Sequence, residues 1–171
     1  MRNLYIVFLL FLLFTGCEKK DLWKEKVEKG DYYFVNRNID MALKYWTESL
    51  QIKKDPLTYE KIVVSLIIKN KLNEAKKYAL SGLTYFNDCD NLLFNLGLIE
   101  FYLGEYESAI KRIDNLITKN RYYPEAHYLK GLIYEKLGKM DEAKREFIEE
   151  INVNPGSKKS WKKLREMKNE K

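Results

Sequence analysis

A repeat of about 34 residues is the feature that most constrains the fold of this chain. Ala75, Ala109 and Ala143 are separated by 34 residues each, and Ala42 precedes Ala75 by 33. A repeat of this length forms one supersecondary unit, which buries its apolar face only against its neighbours. The sequence therefore predicts a stacked array of four copies. The other columns in this register are Leu50, Leu83, Ile117 and Ile151; Ile39, Leu72, Tyr106 and Met140; Gly30, Gly97 and Gly131; and Gly104 and Gly138.

Each copy is predicted to be a pair of antiparallel helices. Glycine or alanine at the crossing point lets the two backbones approach closely, and larger side chains fill the space between successive pairs. Gly104 and Gly138 stand between the two helices of their copies, where a left-handed residue ends the first helix at no steric cost. Asn70 holds the same place in the second copy, since asparagine tolerates a positive φ. Asp55-Pro56 predicts a helix start with aspartate as N-cap.

Residues 62–68, with the sequence IVVSLII, are in conflict with this register. They are rich in β-branched side chains and alone would be typical of a buried strand. The register places them in the first helix of the second copy, between two other predicted helices. We therefore expect them to be helical.

The fourth copy, PEAHYLKGLIYEKLGKMDEAKREFIEEINVNP, resembles a tetratricopeptide repeat (TPR). The second copy departs most from the pattern, because Val63 stands in the glycine column and Ala79 in the aromatic column. The resemblance implies an all-α fold, a right-handed superhelical array of about four TPR helix pairs plus a C-terminal capping helix. The residues that carry it are Gly131, Tyr134, Ala143, Phe147 and Pro155. The implied copies are 23–55, 56–89, 90–123 and 124–157, together 23–157, with a basic capping helix at 158–171.

Residues 1–16 have the features of a secretory signal peptide, with a positive residue at Arg2 and an apolar run over 4–14. The run is too short to span a bilayer, which needs about 20 residues. The segment from Phe14 to Cys17 resembles the lipobox of bacterial lipoproteins. The resemblance implies a lipidated (palmitate-type) Cys17, a tether at 17–22, and a protein anchored in the bacterial cell envelope, at the outer membrane or facing the periplasm. The alternatives are an ordinary cleaved signal and an uncleaved anchor.

The formal net charge of +6 is concentrated at the C-terminus. Residues 158–171 hold seven basic and two acidic residues, whereas residues 17–157 are balanced. The repeats therefore lack the basic face expected of a nucleic-acid-binding protein, and we expect no nucleic-acid partner. The C-terminal helix could contact anionic lipid headgroups, or it could be a solvated cap.

No catalytic or metal-binding pattern is visible, and we expect neither an enzyme nor a cofactor. His127 is the sole histidine, and it stands where TPRs place a large aromatic residue, so we interpret it as a packing residue. The carboxylate pairs Glu149-Glu150 and Asp141-Glu142 are interpreted as a solvated helix face. Cys89, between two aspartates, is either a packed small residue or the partner in an intermolecular disulfide.

The TPR resemblance implies that the first helices of the copies line a concave groove that binds a protein segment. The groove is expected to be apolar and to lack the lysine and asparagine clamp that binds a C-terminal carboxylate, so an apolar helix or an extended segment is the expected occupant. The residues expected to line it are Phe34, Val64, Ile67, Ile68, Phe94, Asn95, Leu98, Phe101, Tyr102, Tyr128 and Leu132.

The groove and the anchor together predict a lipid-anchored adaptor or scaffold for protein–protein interaction in a cell-envelope assembly. Its partners would be other envelope proteins, bound in the groove, and the membrane, bound through Cys17. Two alternatives stay open at this stage. One is a carrier of a small apolar ligand for an envelope transport system, and the other is a structural lipoprotein that forms homo-oligomers.

Overall fold

The computed structural model describes residues 22–169, which form α-helices and contain no strand. The prediction of an all-α fold is confirmed for this part of the chain. The signal peptide, Cys17 and nearly all of the tether lie outside the described residues. The helices are α1 (22–35), α2 (Ile39–Ile52), α3 (Pro56–Ile68), α4 (Leu72–Tyr85), α5 (Asp90–Tyr102), α6 (Tyr106–Lys119), α7 (Ala126–Lys136), α8 (Met140–Val153) and α9 (Lys158–Asn169).

The helix α3 contains the whole segment 62–68, as the repeat register predicts. Ile62 and Val63 are fully buried, and tertiary burial of this kind overrides the weak local preference of β-branched residues for strands. The helix begins at Pro56, where the Asp55 carboxylate accepts the Thr58 backbone N–H at 2.9 Å and the Thr58 hydroxyl at 2.8 Å. The predicted N-cap is therefore confirmed.

The chain divides after Ser65 into two compact units. In the first unit, Gly30 of α1 lies against Trp46 of α2, and a Cβ atom at Gly30 would lie 2.3 Å from Trp46 Cδ1. The indole Nε1 of Trp46 donates to the Asp31 carboxylate at 3.0 Å, and Lys61 Nζ donates to the same carboxylate at 2.6 Å. The large side chain of α2 thus fills the space that the glycine of α1 leaves open.

The second unit stacks α4 to α9 in chain order, each helix packing against the next, and α5 also contacts α7. Its glycines repeat the arrangement of the first unit. A Cβ atom at Gly97 would lie 2.8 Å from Ile113 Cδ1, and one at Gly131 would lie 2.5 Å from Phe147 Cε1. A cluster of buried side chains from α6 and α7, called here the second-unit core, joins these two pairs: Ala109, Ile113, Leu116, Ala126, Leu129 and Ile133.

The turns between paired helices each contain one left-handed residue. Asn70, Gly104 and Gly138 have φ of 56°, 78° and 73°, as the sequence predicts. The next N–H reaches back to the first helix of the pair, as from Glu105 N to Glu100 O at 2.8 Å, which closes the helix end. Arg37 adopts the same conformation in the first pair, with φ of 60°. Arginine carries no signal for this conformation, so the sequence does not reveal it.

The interpretation of Glu150 as part of a solvated face is wrong, although Glu149 is exposed. Glu150 is fully buried, and its carboxylate accepts the backbone N–H groups of Glu125 at 3.1 Å and Tyr128 at 3.3 Å. These N–H groups belong to the start of α7, which have no helical partner of their own. Glu125 has a φ of 64°, and the bond from its N–H helps to hold that strained backbone. Glu150 thus caps α7 from α8.

We predict that Gly131→Ala lowers the free energy of unfolding by about 1–3 kcal/mol, because the added methyl would overlap the ring of Phe147. Urea unfolding followed by circular dichroism measures the change. Adding Phe147→Leu should recover part of the loss by removing the ring.

The matched control is Gly156→Ala, where the nearest heavy atom to an added Cβ is Asn154 Oδ1 at 3.5 Å. This control should leave the unfolding free energy within about 0.5 kcal/mol of the parent value. Equal losses in Gly131→Ala and Gly156→Ala would show that close helix approach is not what the glycine at position 131 provides.

Candidate functional site

The apolar side chains expected to line the groove share one face of α5. Phe94, Leu98, Phe101 and Tyr102 follow one another at intervals of four, three and one residues, which places them on one side of a helix. We call these four residues, with Asn95 beside them, the α5 face. Tyr102 is 56% exposed, and Ile68, which stands 34 residues before it in the equivalent place of the preceding copy, is 59% exposed. Ile67 is half-buried.

Part of the α5 face is already used in packing. Phe94, Leu98 and Phe101 are half-buried and lie against the second-unit core. The ring of Phe94 lies 5.2 Å from that of Tyr123, and the ring of Phe101 lies 6.1 Å from that of Tyr106. These three residues therefore stabilise the stacking of helices as well as contributing surface. Tyr102 is the member of the face that projects into solvent.

Asn95 differs from its neighbours on the α5 face. Its side chain is half-buried, and within the part of the chain that the structure describes its amide makes no hydrogen bond. A side-chain amide has two N–H donors and an acceptor oxygen. Because Asn95 lies one turn from Leu98 and two turns from Tyr102, the face combines exposed apolar surface with an unpaired amide. Such an amide can bind the backbone of an extended segment.

The α7 part of the expected groove is partly covered by α9. Tyr128 and Leu132 are half-buried, and the Tyr128 ring lies 5.7 Å from that of Phe147. The ammonium of Lys159 lies 5.7 Å from the centre of the Tyr128 ring. The open apolar surface of the second unit is therefore centred on Tyr102 and Ile68 rather than on α7.

Phe34 and Val64 belong to the first unit. They are 38% and 39% exposed, and the ring of Phe34 lies 5.5 Å from that of Trp46. Tyr32 and Val35, at the end of the same helix, are exposed to 66% and 79%. The end of α1 thus presents apolar side chains that the groove expected from the sequence did not include.

A buried charge network links the last three repeat helices. Lys130 of α7 donates to Glu146 of α8 and to Asp114 of α6, both at 2.8 Å. His127 Nδ1 lies 2.7 Å from the other Glu146 oxygen. Burial lowers the pKa of Lys130, but its two carboxylate partners outweigh that effect and raise the pKa to about 12. His127 is thus a half-buried residue that bonds α8, with no catalytic partner such as a nearby hydroxyl or thiol.

Glu100 of α5 is a second buried carboxyl. It lies 3.6 Å from Arg112 and 3.9 Å from Lys76, and its Oε2 atom has no hydrogen-bond partner among the described residues. Burial raises the pKa of Glu100 more than these two cations lower it. Lys76 also pairs with Glu105. Glu100 stands in the tyrosine column of the repeat, so its place in the register indicates burial, whereas its charge suggests the opposite.

Neither a metal site nor a spanning helix is found over residues 22–169. No group of three or more histidine, cysteine or acidic side chains is arranged to hold a metal ion there. None of those helices has the length and apolar character needed to cross a membrane. Cys89 is a half-buried free thiol at the N-cap of α5.

Comparison with known proteins supports the repeat. Residues 124–156 match the tetratricopeptide repeat family. The anaphase-promoting complex subunit CDC16 of Saccharomyces cerevisiae is 26% identical over 140 residues, which is 77% of this chain and 17% of that protein. The chain thus spans about a sixth of the length of the curated relatives that it matches.

Solved structures share the fold at low sequence identity. The MamA protein superposes with a TM-score of 0.77 at 20% identity, over 85% of this chain and 80% of MamA. YrrB, described as a TPR protein with an unusual peptide-binding site, gives 0.72 at 14% identity, over 80% of this chain and 71% of YrrB. The chain therefore has the fold of TPR proteins, and the match at 124–156 supports its description as a TPR protein.

We predict that Glu100→Gln raises the free energy of unfolding at neutral pH. Because the pKa of Glu100 is raised in the folded state, that state binds the proton more tightly than the unfolded chain does. Stability is therefore lost as the pH rises from the ordinary carboxyl range through the raised pKa. Glutamine removes this loss, so the gain should vanish in acid, below the ordinary carboxyl pKa.

Urea unfolding of the two proteins across this pH range measures the effect. Glu149→Gln, on the exposed face of α8, is the control and should change stability little at any pH. If Glu100→Gln is less stable than the parent at neutral pH, the attraction of Arg112 and Lys76 exceeds the cost of burial.

Proposed function

We propose that this chain is a lipid-anchored adaptor that binds a protein segment in a bacterial cell-envelope assembly, along a concave groove of a right-handed TPR array. The observation that carries the proposal is the exposure of Ile68 and Tyr102, two bulky side chains at equivalent places of successive copies. Buried packing between helices does not require either side chain to project into solvent. Exposed apolar surface that repeats in register is typical of an interaction site.

The chemistry of the α5 face favours an apolar segment of a partner protein. Tyr102 offers a large and rigid contact area, and aromatic residues are common anchors at protein interfaces. The unpaired amide of Asn95 can bond to the partner's backbone, so an extended segment satisfies both features. Asp31, near the place where a carboxylate clamp would be expected, already binds Trp46 and Lys61. A partner held by its terminal carboxylate is therefore disfavoured.

The compared proteins support a binding role. CDC16 is a subunit of a multiprotein complex and YrrB has a peptide-binding site, according to their descriptions. We propose that this chain likewise binds protein rather than catalysing a reaction. The half-buried state of Phe94, Leu98 and Phe101 narrows the proposed contact to Ile68, Asn95 and Tyr102, with the other residues as support.

We predict that Ile68→Glu and Tyr102→Glu each weaken co-purification of a specific envelope partner by about tenfold or more, because a charge would have to be desolvated at the contact. The measurement is cross-linking of the full chain in its native cell, followed by purification and quantification of the captured protein. Helical circular dichroism should be unchanged, since both side chains are exposed.

Tyr122→Glu is the matched control, because Tyr122 is 68% exposed but lies in the loop before α7. It should leave co-purification unchanged. Equal capture by all three variants would contradict the groove proposal. A bound small molecule seen by native mass spectrometry would favour a ligand carrier instead, and sedimentation as a dimer that Tyr102→Glu disrupts would favour self-association.

The anchor is proposed from the lipobox resemblance at Phe14 to Cys17. We predict that Cys17→Ala abolishes metabolic labelling with an alkyne fatty acid and releases the protein from the membrane fraction. Cys89→Ala is the control and should keep both properties, because Cys89 lies within the repeats. Labelling that survives in Cys17→Ala would contradict lipidation at this position.

A further inference from the structure

The last helix, α9, divides its basic residues between two faces. On the inner face, Lys159 pairs with Glu125 and Lys163 pairs with Glu135, both at 2.8 Å. Ser160 is buried on the same side, and Leu164 and Met167 are half-buried. Two of the six basic residues of α9 are thus neutralised by carboxylates of the preceding repeat.

The outer face carries the other four basic residues. Intervals of three and four residues place them on one side of the helix, together with Trp161. Within residues 22–169, no carboxylate pairs with Lys158, Arg165 or Lys168. Lys162 lies 3.7 Å from Glu166 of the same helix. The members of this outer face, all exposed, are Lys158, Trp161, Lys162, Arg165 and Lys168.

Trp161 gives this face an apolar element. The side chain is 49% exposed, and its Nε1 donates to the Pro155 carbonyl oxygen at 3.2 Å. Because the only polar group of the indole is already bonded, its exposed part is apolar ring. A helix that served only to keep the end of the array soluble would not require an exposed tryptophan in the middle of a basic face.

We propose that the outer face of α9 binds an anionic lipid surface. Basic residues near such a surface are attracted to its headgroups, and tryptophan is enriched at the boundary between headgroups and acyl chains. Three of the four basic residues are lysines, and lysine is depleted at protein–protein interfaces. The composition of the face therefore favours lipid over an acidic protein. This contact depends neither on the groove nor on a lipid at Cys17.

The consequence for an anchored chain is orientation. A lipid on a short tether holds a protein near the bilayer but leaves it free to rotate. The α9 contact holds the fourth copy and its last helix at the surface. About fivefold in the equilibrium between contact and free states is expected for each basic residue near an anionic surface, and salt should weaken the contact.

The test uses the full chain reconstituted into vesicles that contain phosphatidylcholine with brominated acyl chains, with or without added phosphatidylglycerol. Quenching of tryptophan fluorescence by bromine reports contact with the acyl region. The difference between the parent chain and Trp161→Phe isolates the signal of Trp161 from those of Trp23 and Trp46. We expect Trp161 to be quenched when phosphatidylglycerol is present, and the quenching to fall when it is absent or when salt is raised.

Two variants with the same loss of charge separate position from net charge. The outer-face variant should lose at least about tenfold of the preference for anionic vesicles, and the control, which removes three lysines and one arginine from exposed positions of α4, α6 and α8, should keep it. The outer-face variant is Lys158→Gln, Lys162→Gln, Arg165→Gln and Lys168→Gln. The control variant is Lys77→Gln, Lys111→Gln, Lys144→Gln and Arg145→Gln.

Three outcomes would overturn the proposal. The first is equal quenching of Trp161 in the parent chain with and without phosphatidylglycerol, a comparison that requires no charge variant. The second is an equal loss in the outer-face and control variants, which would make net charge the cause. The third is retained preference in the outer-face variant. Loss of the groove partner in Tyr102→Glu would not change any of these results.

Discussion

The close approach of paired helices at glycine is the contact on which the rest of the structure depends. Gly97 faces Ile113 and Gly131 faces Phe147, and in each case an added Cβ would lie within 3 Å of the larger side chain. The large residue fills the space left by the small one, which sets the distance between the helices of a pair. Because this contact recurs in register, each pair presents the same faces to the next, and the first helix repeats the same outward positions.

That repetition explains why packing and binding surface share residues. Phe94, Leu98 and Phe101 lie on the side of α5 that faces its neighbours, and they are half-buried against the second-unit core. Tyr102 is only one residue further round the helix and projects into solvent. A groove in such a fold is therefore the exposed edge of the packing layer, and its chemistry is set by the few positions at that edge. Ile68 and Asn95 make this edge apolar with one unpaired amide.

Buried charge holds the second unit together where aromatic packing is interrupted. Lys130 binds carboxylates from both neighbouring helices, and Glu150 supplies the acceptor that the start of α7 lacks. At α9, Lys159 and Lys163 extend the same kind of pairing to the last helix. The basic residues that remain on its outer face have no such role in the fold, which is why they are available for an external anionic surface.

The sequence by itself determined the helical pairs, the left-handed turns at Asn70, Gly104 and Gly138, and the helical state of residues 62–68. These features follow from periodicity and from residue types with distinct backbone preferences, both of which are visible in one dimension. Only the tertiary structure decided that Glu150 and Glu100 are buried and that Arg37 adopts a positive φ. A carboxylate looks the same in sequence whether it faces water or a helix end, since its environment comes from residues some 10–30 positions away. The same physical reason left the division of α9 into a paired inner face and an open outer face to the fold.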